Sequence, residues 1–97
     1  MFTGKVWVWK PARGERAGRW FFVSIEGMPA AELKLASLGL TAGFGSLPVT
    51  ATIGVTTWRT SIFPQHETGG WILPLKAEIR KRAGIGEGSE VDVSLVV

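Results

Sequence analysis

Residues 71–88, WILPLKAEIRKRAGIGEG, run from an apolar segment through a short cationic one into a turn punctuated by glycines. Trp71–Leu75 has the composition of a strand. Lys76–Ala83 reads as a helix with Ile79 and Ala83 on its inner face, stopped at Gly84, the residue type that most easily takes the left-handed conformation ending a helix. Ser89–Val97 then alternates, with Val91, Val93 and Leu95 on one face and Glu90, Asp92 and Ser94 on the other. The unit is strand, helix, strand.

The same order occurs earlier in the chain. Phe2–Lys10 carries Phe2, Val6 and Val8 on one face and Trp7 and Trp9 on the other, a pattern that predicts a strand covered on both sides. Lys10–Arg19, KPARGERAGR, is the most polar segment and reads as an exposed hairpin loop, after which Trp20–Ile25 returns as an antiparallel strand. In EGMPAAELKLASLGL, residues 26–40, Pro29 suits a first helical turn and Gly39 an end, with Leu33, Ala36 and Leu40 on one stripe. Leu47–Ile53 and Val55–Phe63 are strands divided at Gly54, and PQHETGG, residues 64–70, is a second loop.

Side by side, AAELKLA followed by SLPVTATI in the first half answers AEIRKRA followed by SEVDVSLV in the second. Each half reads strand, strand, helix, strand. The predicted fold is all-β with two short helices: a small closed six-stranded barrel about a pseudo-twofold axis, a helix plugging each end, in one domain over residues 1–97. Closure removes the exposed edges that a chain rich in Val, Ile and Trp must protect.

Composition suits this expectation. With 97 residues, 45% of them hydrophobic, and five Trp and five Phe, the chain can stabilise one core without covalent staples. It has no Cys, so disulfides and thiolate metal sites are excluded. The opening MFTGKVWVWK alternates and lacks the pattern of a signal peptide, and no segment approaches the roughly 18 apolar residues of a spanning helix. A cytoplasmic protein without membrane contact is expected. Eleven basic residues face eight acidic ones, giving a net charge of +3 and a pI near 9.8, a modest excess that selects no partner by itself.

ATIGVTTWRTSIFP, residues 51–64, followed by GGWILPLKAEIRKRAGIGEGSEVDVSL, residues 69–95, resembles the bacterial family called domain of unknown function 1905. FTGKVWVW and WFFVSI extend the likeness over nearly the whole chain. The resemblance implies a compact closed β-barrel and, since the family has no established activity, leaves function open. Residues 73–91, LPLKAEIRKRAGIGEGSEV, are also similar to the half-barrel hairpin of AbrB and MazE type regulators, which bind DNA as swapped dimers of two such halves. With both halves in one chain the barrel is completed internally, so that likeness implies shared architecture more than DNA binding, and a monomer is expected.

Two functional readings follow. The first is a non-catalytic binding module holding a small anionic or aromatic ligand at a barrel mouth lined by Trp7, Trp9 and Trp20. Thr57, Arg59 and Ser61 share one face of a strand, and Arg59 would be the anchor if that face points inward, because a buried guanidinium demands a partner; pointing outward, the trio is ordinary wet sheet surface. The alternative is a weak nucleic-acid binder, with Arg13, Arg16 and Arg19 of loop 10–19 and Arg80, Lys81 and Arg82 of helix 76–83 on phosphates. Against it, a hairpin loop is polar because it is exposed, Glu78 can pair with Arg82 one turn on, and cations near a helix C-terminus complement its dipole.

Catalysis has the least support. His66, the one histidine, stands on a loop beside Glu67 with nothing to complete a metal site. The glycines of GIGEG lack the spacing of a dinucleotide fingerprint and precede a strand where a helix is required. No metal and no cofactor are expected.

Overall fold

The computed structural model describes residues 1–10, 19–39 and 45–97. Its elements are β1 (Phe2–Trp9), β2 (Trp20–Ile25), α1 (Gly27–Ala36), β3 (Leu47–Ile53), β4 (Thr56–Gln65), β5 (Gly70–Pro74), α2 (Ala77–Ala83) and β6 (Glu90–Val96). The six strands close into a barrel in the order β1-β2-β5-β4-β3-β6, and every ladder is antiparallel. The predicted fold is the observed one.

Alternation fixes which side chains fill the barrel. Val6, Val23, Leu47, Val49, Ile62 and Leu73 point inward and are fully or almost fully buried, each contributing roughly 1.5–3 kcal/mol of burial. Ala30 and Leu33 from α1 and Ile79 from α2 join the same core. The buried residues of α1 are thus Ala30 and Leu33, with the C-cap Ser37 also buried, whereas Ala36 is exposed and Leu40 lies outside the described residues. Pro29 does lie in the first turn of α1, as expected, and of the expected stripe Leu33 is the residue that α1 buries.

Two boundaries also differ from expectation. Gly54 takes a left-handed φ of 60° in a two-residue turn whose second residue, Val55, is fully exposed, so β4 starts at Thr56. Pro64 falls inside β4 rather than in the loop. It lies beyond the last β3–β4 pair, Leu47 with Ile62, where a missing N–H is tolerated.

The repeat is visible in the pairing. Exchanging β1 with β4, β2 with β5 and β3 with β6 returns the same set of ladders. In the β2–β5 ladder Ile25 pairs with Trp71, and at the other end the Leu75 N–H donates to the Phe21 carbonyl at 2.8 Å. The local twofold therefore places Phe21 on Trp71 and Leu75 on Ile25, fifty residues apart in each case, and the same step carries the α1 N-cap Glu26 onto the α2 N-cap Lys76. α1 leaves from one end of this ladder and α2 from the other. Each helix covers its own pole.

Candidate functional site

The two poles are related by topology but differ in chemistry. At the α1 pole Trp71 is 6% exposed, and its indole N–H donates to the Ala30 carbonyl at 3.2 Å. A large ring over a small helical residue seals that end. At the α2 pole the equivalent places hold a smaller ring, Phe21, and a longer side chain, Arg80. The filled volume is redistributed there, and a cleft of about 270 Å³ remains.

Its geometry follows from the strand ends. Trp20 and Phe21 stand at the start of β2 and Pro74 and Leu75 at the end of β5, providing aromatic and aliphatic walls. Arg19, Lys76 and Arg80 provide the polar lining, and among the described residues no carboxylate lines the cleft. The Arg80 guanidinium carbon lies 3.6 Å from the centroid of the Phe21 ring, and that of Arg19 lies 5.6 Å from the same ring, both within cation–π range. One Arg80 nitrogen donates to the Leu75 carbonyl at 2.7 Å. Stacked on one side and tethered at one nitrogen, this guanidinium is held flat with its remaining N–H groups unpartnered among the described residues, the arrangement that recognises a planar oxyanion with little ordering cost.

The family model described as "Domain of unknown function (DUF1905)" matches residues 2–95. The chain belongs to this family. No curated protein and no solved structure matches the chain. The family's description names no activity, so the chemistry of this DUF1905 barrel rests on its own side chains.

The residues singled out in the sequence fall into separate groups on this DUF1905 barrel. Trp7, Trp9 and Trp20 do come together, with Phe22 and Ile72, around a shallow depression of about 370 Å³. They line the outer wall of β1, β2 and β5, and of the three only Trp20 also borders the cleft at the α2 pole. The expectation that β1 is covered on both sides fails among the described residues: Trp9 on its outer face is 48% exposed, because closing a single sheet into a barrel covers only its inner face. The Trp7 indole donates to Ser24 Oγ at 2.8 Å and its ring packs on Phe22 with centroids 5.1 Å apart.

Thr57, Arg59 and Ser61 form a different patch. They point outward from β4, where Arg59 donates to Thr50 Oγ1 on β3 at 3.1 Å and the Thr52 and Thr57 hydroxyls lie 3.0 Å apart. Of the two orientations open from the sequence this is the wet sheet surface, and the structure does not bring the trio to the tryptophans. Arg59→Ala is accordingly expected to change stability by less than about 0.5 kcal/mol and to leave ligand affinity unaltered, as measured by thermal melts and fluorescence titration. A tenfold loss of affinity would move the site to this face.

The basic set also divides. Arg13 and Arg16 lie outside the described residues, whereas Arg19 and Arg80 meet at the cleft. Lys81 and Arg82 are exposed on the solvent side of α2, with Arg82 4.0 Å from Glu78, an exposed pair of little energetic weight. His66 is exposed in the turn between β4 and β5, and no group of three or more metal-ligating side chains occurs among the described residues. GIGEG acts as a turn: Gly84 caps α2 with φ 69°, and the Gly88 N–H donates to the Val6 carbonyl at 2.8 Å. Among the described residues no helix is long and apolar enough to cross a membrane.

Sequence reasoning missed Phe21, Pro74 and Leu75 as cleft residues, and read Lys76 as a phosphate contact of helix 76–83 without placing it in a cleft. Their signal was the step of fifty residues, which sets Lys76 opposite Glu26 and Arg80 opposite Ala30. Comparing the halves position by position finds cations where the other half has none.

Proposed function

We propose that this chain is a non-catalytic binding module that holds an anionic aromatic ligand in the cleft at the α2 pole. The observation that carries the reading is the convergence of Arg19, Lys76 and Arg80 on an aromatic floor, with no carboxylate in the lining among the described residues. An anionic head would take the free edge of Arg80 and the Lys76 ammonium, while a planar body would lie against Trp20 and Phe21. Arg59, the anchor expected from the sequence, gives way to Arg80, which is half-buried and held flat.

Naphthalene-2-sulfonate and its neutral counterpart naphthalene-2-methanol provide the test, with binding read from Trp20 fluorescence. The sulfonate is expected to bind and the alcohol to bind at least tenfold less tightly. Arg80→Gln, which keeps a donor for the Leu75 carbonyl, is expected to weaken the sulfonate by tenfold or more, as loss of one charged hydrogen bond does (about 1.5–3 kcal/mol). The exposed variant Lys76→Gln guards against a folding artefact and is expected to weaken the sulfonate severalfold. Equal binding of sulfonate and alcohol, or indifference to both substitutions, would remove the proposal.

A further inference from the structure

We infer that the ligand class of this cleft is single-stranded nucleic acid, with the outer aromatic wall of β1, β2 and β5 serving as its base-stacking platform. The inference rests on the binding-module reading above and names its ligand. Three observations carry it.

Continuity is the first. Trp20 borders both the cationic cleft and the outer aromatic depression, so one extended ligand can occupy both without crossing polar surface. From Trp20 the face runs to Trp9, its direct cross-strand partner, and then to Trp7 and Phe22, the adjoining pair on the same side. On β5 and β4 it continues through Ile72 and its partner Phe63, itself 41% exposed.

The second is spacing. The Trp9–Trp20 and Trp7–Phe22 rungs are separated by two residues along the strands, about 6.7 Å. That is twice the roughly 3.4 Å rise of stacked bases on one strand, room for a base to sit between neighbouring rungs. Base–aromatic stacking of this kind is indifferent to sequence because every base has a π-face.

Charge is the third, and it selects among occupants. No carboxylate lies on the outer face of β2 or β5. Along β1 the neighbouring acids are Glu87, next to the Gly88 whose N–H meets the Val6 carbonyl, and Glu90 and Asp92, which stand opposite Lys5 and Thr3. The Asp92 carboxylate is further engaged by the Thr3 hydroxyl at 2.6 Å. An aromatic wall with the cations Arg19, Lys76 and Arg80 at its edge complements a flexible polyanion that carries planar rings. An uncharged apolar partner would have no use for Arg19, Lys76 and Arg80.

The experiment compares a ten-residue oligothymidylate, a duplex of the same length and thymidine 5′-monophosphate, using anisotropy or tryptophan quenching. The single strand is expected to bind at least tenfold more tightly than either the duplex or the mononucleotide. Its log affinity should fall with log salt at a slope of about −2, near 0.7 for each of three neutralised phosphates. Trp9→Ala, at an exposed position, should weaken the single strand about tenfold and leave the mononucleotide unchanged, whereas Arg80→Gln should weaken both. Oligothymidylate that binds no better than the mononucleotide would overturn the inference, and Arg80-dependent binding of naphthalene-2-sulfonate in the same preparation would show that the binding-module reading survives it. A concentration-dependent dimer abolished by Trp9→Ala would assign the aromatic wall to a second copy and overturn the inference equally. Loss of sulfonate and nucleotide binding together would remove both.

Discussion

Trp71→Ala is expected to lower stability by about 4 kcal/mol, whereas Trp20→Ala, at 56% exposure, should change it by less than about 0.5 kcal/mol. The two tryptophans open strands in corresponding halves of the sequence but have opposite roles. Trp71 fills the α1 pole and donates to the buried Ala30 carbonyl. Its truncation leaves a cavity and removes the indole's additional hydrogen bond to the Ala30 carbonyl, which keeps its place in the α1 ladder. A domain of this size has roughly 5–15 kcal/mol in all, so the loss corresponds to a melting temperature lower by roughly 16–32 °C. Thermal melts followed by circular dichroism measure both variants. Equal, small shifts would show that the α1 pole is not sealed by Trp71.

Gly70→Ala is expected to cost about 3 kcal/mol, a drop of roughly 12–24 °C in Tm. Gly70 opens β5, is buried, and has no left-handed φ to demand glycine. The demand comes from close approach: a Cβ there would overlap the Ile25 carbonyl oxygen, part of the β2 backbone and unable to swing aside as a side chain can. Thr68 Oγ1, 3.3 Å from the same Cβ position, cannot retreat freely either, since it accepts the Gly70 N–H at 3.2 Å. Gly86→Ala is the internal comparison. A Cβ at Gly86 meets nothing within 4 Å, and that variant should melt within about 3 °C of the parent. Should Gly70→Ala behave like Gly86→Ala, the β2–β5 junction is looser than described.

Much of the fold was legible because alternation and helix punctuation are local signals. Val91, Val93 and Leu95 against Glu90 and Asp92 specify a half-buried strand without any knowledge of its neighbours, and Gly84 after Ala83 specifies a helix end. The repeated order of elements then makes closure the economical solution. What stayed hidden depends on neighbours. Phe2–Trp9 is apolar on both faces, which reads as double coverage, yet a closed sheet has only one inside and leaves Trp7 and Trp9 on the outer wall. Pro64 was read as a loop residue because nothing local reveals that one edge of β4 has run out of partner at that point.

The site was partly legible for the same reason. Arg19, Trp20 and Arg80 were each singled out, but Arg19 and Trp20 lie about sixty residues from Arg80 in the chain, and only the β2–β5 ladder sets them side by side. Arg59 illustrates the converse. A lone guanidinium on a strand signals chemistry if buried and nothing if exposed, and its side was decided by the parity of β4, which the Val55 turn fixes.

The central claim is that the α2 pole is the functional end of the barrel. Titrating isotope-labelled protein with naphthalene-2-sulfonate and following backbone amide shifts tests it most directly. The account predicts that the shifts concentrate in residues 19–21 and 75–80, with Ala30, Trp71 and the outward face around Arg59 unmoved. Largest shifts at the α1 pole, or on the β3–β4 face, would contradict it.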